Sequence, residues 1–379
     1  MANVLTGLIP SIYAGLNKHS REVIGFIPNV STDAKASGAA LNQVVRSPVV
    51  LPAVASSIVP GVDNAGGGSQ TVGYTDVSIT KSEMVPVVWS GEEQLAIGPN
   101  GTYNQILADQ FTEAFRAISN QVETDLAAEY SKFARAYGIA GTTPFGTKDV
   151  HTDWSQSNKL LDDMGAPRQD RVMIVNSSSE ANIEGIQSGL FHVNEAGDDG
   201  AMLRNREKRQ IHRFTMGASA GIVGHTAGTG AGYLINDAAL VKGGKTITVD
   251  TGTGTILVGD VVTIGNYKYV AATALAGGSF TIAGNGLAEN VTDNTAITLA
   301  ADYTPNAVYH KSALLLAARA PAMPKGGGKA TDVLNVTDTV SGLTFQIASY
   351  DGYHQESFEV GLAWGVATPN PHFAGLLLG

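Results

Sequence analysis

The chain has 379 residues, 43% of them hydrophobic and 15% charged, with 45 glycines and a formal net charge of −10. That length can bury a large core and suggests two or three domains, while a charged fraction well below the roughly 25% of typical soluble proteins points to surface buried against neighbours. The acidic balance argues against a protein that grips many phosphates, and the complete lack of cysteine removes disulfides, thiolate nucleophiles and sulfur-ligated zinc.

Taken from the N-terminus, Met1 to Leu16 carries no basic region ahead of its apolar residues and is interrupted by Pro10, so it does not read as a signal peptide. No apolar run reaches the roughly 18 residues that cross a bilayer; Ala313 to Ala318 is the best and is far too short. The expectation is a soluble protein made in the cytosol. Residues 1–44 read as an arm, with an amphipathic stretch from Leu8 to Ile27 and a small-residue helix around Ala34 to Gln43.

Residues 45–98 are extended. Strand patterns at Gln43 to Val50, Gln70 to Ile79 and Val85 to Ser90 surround the loop Val59 to Gln70, whose Gly66, Gly67 and Gly68 make a flexible tip. This reads as a long two-stranded arm, and an isolated hairpin is marginal in water, so support from outside the subunit is expected.

From Thr102 to Tyr137 the pattern predicts a helix of about ten turns, bracketed by Gly101 and Gly138. Tyr103, Leu107, Phe111, Phe115, Ile118, Val122, Leu126, Tyr130, Phe133 and Tyr137 place one large apolar side chain per turn on a single stripe. Asp109 and Glu113 near its start, and Lys132 and Arg135 near its end, oppose the macrodipole. Glu113 and Arg116, and Glu129 and Lys132, are expected ion pairs, whereas Asp125 and Glu129 should repel. Such a rod should span the subunit; a core helix of an α/β enzyme is the plain alternative.

Beyond it, a helix from Thr152 to Met164, a buried strand from Arg171 to Asn176 and a capped helix from Ser178 to Gln187 suggest a mixed α/β domain. Residues 224–304 then hold no Arg and no Pro and are rich in Thr and Gly. Strands are expected at Thr246 to Val249, Thr255 to Val258, Val261 to Ile264, Tyr267 to Ala271, Phe280 to Ala283 and Ala296 to Leu299, with Gly265 and Asn266 as a hairpin turn. Six short strands in this span fit a small closed barrel. After Pro305 the mixed pattern returns: Ala307 to Tyr309 and Ala313 to Ala318 as strands, a loop at Gly326, Gly327 and Gly328, and a terminal hairpin of Leu343 to Tyr350 with Glu356 to Thr368.

Motifs for chemistry are weak. Gly217, Ser219 and Gly221 match a nucleophile elbow, but a glycine-rich stretch follows where a helix is needed. Gly244, Lys245 and Thr246 end like a phosphate loop, but Ala239 stands where its first glycine should, and a strand follows. The eight histidines show no ligand spacing. Arg204, Arg206, Lys208, Arg209 and Arg213 form the one basic cluster, close behind Glu195, Asp198 and Asp199, and fit a salt-bridged subunit contact better than a nucleic-acid patch. A serine hydrolase acting through Ser219 and a glycan-binding surface β-protein are the rivals to a structural protein.

Several segments, in order, resemble the major capsid proteins of tailed bacteriophages with the Hong Kong 97 fold, in particular the P-twenty-two-like coat proteins. They are LTGLIPSIYAGL at the start, VGYTDVSITKSEMVPVVWSGEEQ, YNQILADQFTEAFRAISNQVETDLAAEYSKFARAYG in the long helix, VGDVVTIGNYKYV, and PNAVYHKSALLLAARAPAMP. The resemblance implies an α+β Hong Kong 97-type fold. Its parts are an N-terminal arm (1–44), an extended β-hairpin loop (45–98), a peripheral domain (99–150) with the spine helix 102–137, and an axial domain (151–223 and 305–379) interrupted by a β-barrel domain (224–304). It also implies a shell of hexamers and pentamers, a scaffolding protein, a portal, packaged DNA held without sequence specificity, no membrane and no cofactor. Assembly in the cytoplasm of a bacterial host and residence in the virion capsid follow, and no catalytic or crosslinking site is carried over. Gly66, Gly67, Gly68, Tyr74, Arg204, Arg206, Lys208 and Arg209 are the candidate inter-subunit contacts.

Overall fold

A computed structural model describes residues 24–50, 72–97, 102–187, 210–238, 240–324, 328, 330–338 and 342–379. After a 3-10 turn at Ile27–Asn29 come strands β1 (Ser31–Ala39), β2 (Val44–Val50), β3 (Val72–Ser78) and β4 (Lys81–Ser90), then helices α1 (Gly91–Ile97) and α2 (Thr102–Ala128). Strand β5 (Arg135–Gly138), helix α3 (Thr152–Asp163), strand β6 (Arg171–Val175), helix α4 (Ser177–Gly185) and strand β7 (Phe214–Ala218) follow. The next stretch holds β8 (Leu234–Ile235), β9 (Thr246–Asp250), β10 (Val261–Ile264), β11 (Tyr267–Val270), β12 (Ser279–Thr281) and β13 (Ile297–Leu299). The chain finishes with β14 (Pro305–His310), β15 (Leu315–Pro321), β16 (Asp332–Thr337), β17 (Thr344–Gly352), β18 (Gln355–Ala367) and β19 (Ala374–Leu378).

The long helix exists but is shorter than its pattern. It ends at Ala128 after 27 residues, passes through a 3-10 turn at Glu129–Lys132, and becomes extended at Phe133. The predicted span 102–137 is therefore corrected at its C-terminal end. Residues Arg135 to Gly138 are drawn into a sheet, parallel to β19 and antiparallel to β11, and these ladder bonds outweigh the continued helical spacing of Tyr130, Phe133 and Tyr137.

Along α2 the apolar stripe is buried: Leu107, Phe111, Phe115, Ile118, Val122 and Leu126 are sealed in the main core. It faces a six-stranded sheet of order β1-β15-β18-β17-β16, to which β4 adds by pairing with β18. Phe111 meets Phe358 edge-on at 5.7 Å and Phe115 meets Phe345 at 5.0 Å. Each such side chain, removed from water, stabilises the fold by roughly 1.5–3 kcal/mol. The expected pairs Glu113–Arg116 and Glu129–Lys132 form. The expected repulsion of Asp125 and Glu129 is relieved, because Asp125 binds Lys81 at 2.8 Å and the Trp364 indole at 2.8 Å while Glu129 takes Lys132 and Thr368.

The helix expected at Ala34 to Gln43 is instead strand β1, corrected by a parallel ladder to β15 from Ser31 to Lys35. Small residues suit this strand, since it lies against the tightly packed Ala317 and Ala363 layer. β2 and β3 form a separate two-stranded ladder running from Val44–Ser78 to Val50–Val72, as the arm pattern predicts.

A second sheet has eight strands in the order β13-β10-β11-β5-β19-β14-β6-β7. β14 pairs with β6 and β19, and three strands from residues 224–304, β13, β10 and β11, extend the same sheet through the pairing of β11 with β5. Helices α3 and α4 contribute Trp154, Leu161 and Ile183 to a core with Met173, Val175, Phe214, Val308 and Leu377 from this sheet.

Within residues 224–304, ladders join β13 to β10, β10 to β11, β12 to β9 and β9 to β8. Single bridges Ala271–Ile282 and Leu234–Ala296 complete a ring of six strands around Ile247, Val262, Ile264, Tyr269, Phe280 and Ile282. The strand expected at Thr255 to Val258 is not among them; Leu234–Ile235 takes the sixth place. The reason lies in Asp260, whose carboxylate accepts the Leu257 N–H at 2.6 Å and folds that stretch into a turn. Gly265, with φ of 60°, opens the β10–β11 hairpin as expected.

Candidate assembly surfaces and the polar junctions behind them

Of the sequence-derived contact residues, Tyr74 is on β3, 60% exposed, with the Arg46 guanidinium 3.7 Å above its ring. Arg46 is in turn paired with Asp76 at 2.9 Å, an exposed contact whose mutual hydrogen bond lifts the Arg46 pKa and lowers that of Asp76. Gly66, Gly67, Gly68, Arg204, Arg206, Lys208 and Arg209 lie outside the described residues. Exposed apolar side chains cluster near the arm and along one edge of the six-stranded sheet: Leu41 and Val44 at the arm, Met84 and Val88 on β4, and Leu95 on α1, which is 82% exposed. Tyr353 joins Leu95 at one end of that sheet, where the Gly91 N–H donates to the His354 carbonyl.

Behind these surfaces lie two buried polar junctions that composition does not announce. The first is Glu123, on α2 and 2% exposed. Its Oε1 accepts the Gly25 N–H at 2.7 Å and the Phe26 N–H at 2.8 Å, and its Oε2 accepts the Ile27 N–H at 3.1 Å. The Ser219 hydroxyl also hydrogen-bonds this carboxylate. Burial lifts the Glu123 pKa above the usual carboxylate range, and the Ser219 hydroxyl and three amides only partly offset it. A buried charge is tolerated where it is saturated with donors, and here those donors come from the start of the described chain and from the strand-end of β7. Glu123 therefore ties three distant segments together.

The G-x-S-x-G spacing acquires its meaning at this junction. A Cβ at Gly217 would fall 2.7 Å from Ile174 Cδ1, and one at Gly221 would fall 3.1 Å from the Glu123 carbonyl. Gly217 leaves room for Ile174 of β6, Gly221 lets the chain after β7 pass close to the α2 backbone, and Ser219, 3% exposed, has its Oγ accepting the Gly221 N–H at 3.1 Å while serving Glu123. A hydroxyl held in this way is a structural donor, not a displayed nucleophile. Gly244, Lys245 and Thr246 lead directly into strand β9, which leaves no helix N-terminus to receive a phosphate.

The second junction is a chain of three side chains at the base of the insert. Tyr130 Oη lies 2.8 Å from His225 Nδ1, and His225 Nε2 lies 2.8 Å from Asp260 Oδ1. All three are satisfied when Tyr130 donates to Nδ1 and Nε2–H donates to Asp260. Asp260, fully buried, also accepts from Gly228 and Leu257, while Tyr303 donates to the Gly259 carbonyl at 2.5 Å. Burial raises the Tyr130 and Tyr303 pKa values, which keeps both phenols neutral donors. Tyr130 belongs to the turn that ends α2, so the network fastens the insert to the helix.

Sequence reasoning missed both junctions. Glu123 sits at the edge of the apolar stripe, one residue from Val122 and three from Leu126, and that position is the signal that could have exposed it. His225 and Asp260 are 35 residues apart and carry no short-range pattern.

No family model and no curated protein matches the chain. Among solved structures, it is similar to the capsid structure of the cyanophage P-SCSP1u at 12% identity and TM-score 0.46, covering 94% of this chain and 88% of that one. It is similar to the capsid of Ralstonia phage GP4 at 11% identity and TM-score 0.45, covering 94% and 88%. A virus-like particle from Pyrococcus furiosus matches at 9% identity and TM-score 0.44, covering 98% of both chains.

Proposed function

We propose that this chain is a major capsid protein, which self-assembles into the icosahedral shell around the genome of a tailed double-stranded DNA phage. The observation that carries the reading is the placement of the 27-residue helix α2: it packs on a six-stranded sheet and stands in the chain between the two-stranded β2–β3 ladder and the strands of an eight-stranded sheet. Exposed Tyr74 and Val44 on the arm, and Leu95 on α1, are surfaces that neighbouring copies would cover. The segment resemblance to P-twenty-two-like coat proteins points the same way.

On this reading the subunits form hexamers and pentamers, meet a scaffolding protein and a portal during assembly in the host cytoplasm, and enclose DNA without reading its sequence. The ring of strands in the insert is the barrel domain of that architecture, and residues 151–223 with 305–379 form its axial domain. The glycine tip at 66–68 and the basic residues Arg204, Arg206, Lys208 and Arg209 reach neighbouring subunits. The protein's work is assembly, not catalysis. Sedimentation velocity of the purified chain across a concentration series tests it: the expected result is a fast, discrete assembly species above a threshold, and a single subunit-sized boundary at every concentration, with or without scaffold, overturns it.

A further inference from the structure

Where the insert meets the rest of the chain there is a cavity of about 420 Å³, walled by β5, the N-terminal half of β11 and helix α3. Three cationic side chains face it, Arg135, Lys159 and Lys268, against one carboxylate, Asp163. In a chain of net charge −10 this is a local reversal of sign.

The three cations are not equally engaged. Lys159 is held by Asp163 at 2.7 Å. Lys268 donates to the Gly138 carbonyl, and burial lowers its pKa, the mark of an ammonium without a countercharge. Arg135 makes no ion pair among the described residues. Its guanidinium carbon lies 5.0 Å from the centre of the Tyr267 ring and 5.8 Å from that of Tyr269, within cation–π reach of both. The other nearby acid, Glu289, is taken up by the Asn266 N–H at 3.1 Å.

A guanidinium beside two aromatic rings, with no hydrogen bond or ion pair among the described residues, leaves free the planar fork that matches a carboxylate. A smaller cavity of about 180 Å³ shares Arg135 and Asp163 with the first and adds Lys242 and His372, the latter with its pKa lowered by burial and by Lys245. A duplex would bring a row of phosphates over an otherwise acidic surface, whereas a single side chain enters a concave socket without that cost.

We propose that this cavity is a socket for a carboxylate on an acidic side chain of a second copy of this chain, gripped by Arg135; the occupant rests on the self-assembly reading above. The chain carries 34 acidic against 24 basic residues, so a second copy has an excess of carboxylates to offer this cationic cavity.

The test compares the full chain with Arg135→Lys and Arg135→Gln, measuring assembly by sedimentation and citrate binding to dissociated subunits by calorimetry. Expected are saturable citrate binding to the wild type, weakened at least about tenfold in Arg135→Gln as for a lost charge-assisted hydrogen bond, and an intermediate loss in Arg135→Lys, which keeps charge without the fork. Citrate should also raise the threshold for wild-type assembly, as Arg135→Gln does, with subunit melting unchanged. Absence of a saturable citrate heat, or assembly of Arg135→Gln at the wild-type threshold, overturns the socket. If citrate binds but the wild type never assembles, the self-assembly reading fails and the cavity is reassigned to a free anion.

Discussion

Glu123 accepts the backbone N–H of Phe26 at 2.8 Å across 97 residues of sequence, within a carboxylate cradle that also holds Gly25 and Ile27. The start of the described chain is thereby anchored to the middle of the helix that organises the subunit. Removing the carboxylate leaves three buried N–H groups without partners, and each unsatisfied donor costs about 1–3 kcal/mol. Glu123→Ala should therefore destabilise the subunit by about 3 kcal/mol or more, read as a lower urea midpoint with the slope preserved. Glu123→Gln, which keeps an acceptor but turns an amide toward the donors, should lie between.

The same residue sets a pH dependence. Its folded-state pKa is raised, so the folded chain binds the proton more tightly than the unfolded chain. Its contribution is fully present below the ordinary glutamate pKa and declines as pH rises through the folded value. Glu123→Gln should flatten that part of the stability-against-pH curve, measured by thermal melts across mildly acidic buffers.

Asp162 works in the opposite sense. Burial pushes its carboxyl up, but hydrogen bonds and charges from Arg171 and Arg168 outweigh this and leave it lowered. Arg171 is fully buried and places its donors on Asp162 at 2.6 Å, Asn158, Ala166 and Pro167. This contribution is present above the ordinary aspartate pKa and lost as pH falls through the lowered one. Asp162→Asn should lower the melting temperature at neutral pH and leave it unchanged in strong acid.

Packing on the helix divides by face. Phe115→Ala removes a fully buried ring from the contact with Phe345 and should cost about 3–5 kcal/mol. Glu113→Ala breaks an exposed pair with Arg116 and should change stability by less than about 0.5 kcal/mol. Equal losses in chemical denaturation would contradict the orientation of the stripe.

Tyr74 separates folding from assembly. Exposed on the arm and stacked with Arg46, it should be replaceable by Ser with little change in subunit melting but with a higher concentration threshold for assembly. A threshold equal to wild type would remove Tyr74 from the contacts.

Much of this architecture is written locally. The stripe from Tyr103 to Leu126 names both the helix and its buried face, and the alternation in β2, β3, β4, β17 and β18 marks strands without knowledge of partners. Legibility fails where a distant strand recruits a segment against its own preference. Arg135 to Gly138 continues a helical spacing yet pairs with Leu376 and its neighbours, more than 230 residues away, and Ser31 to Ala39 has small residues that a helix accepts yet lies parallel to β15. The polar junctions were invisible for the same reason: Glu123 finds its donors about 97 residues upstream, and His225 meets Tyr130 and Asp260 only in the fold. Of the contact residues inferred from sequence, Tyr74 is the one that the described structure carries, on β3 and 60% exposed.

Electron micrographs of the purified chain in negative stain address the central claim most directly. Closed round shells of uniform diameter are the expected result. Dispersed single subunits at concentrations well above those at which coat proteins associate, with scaffold present or absent, would contradict it.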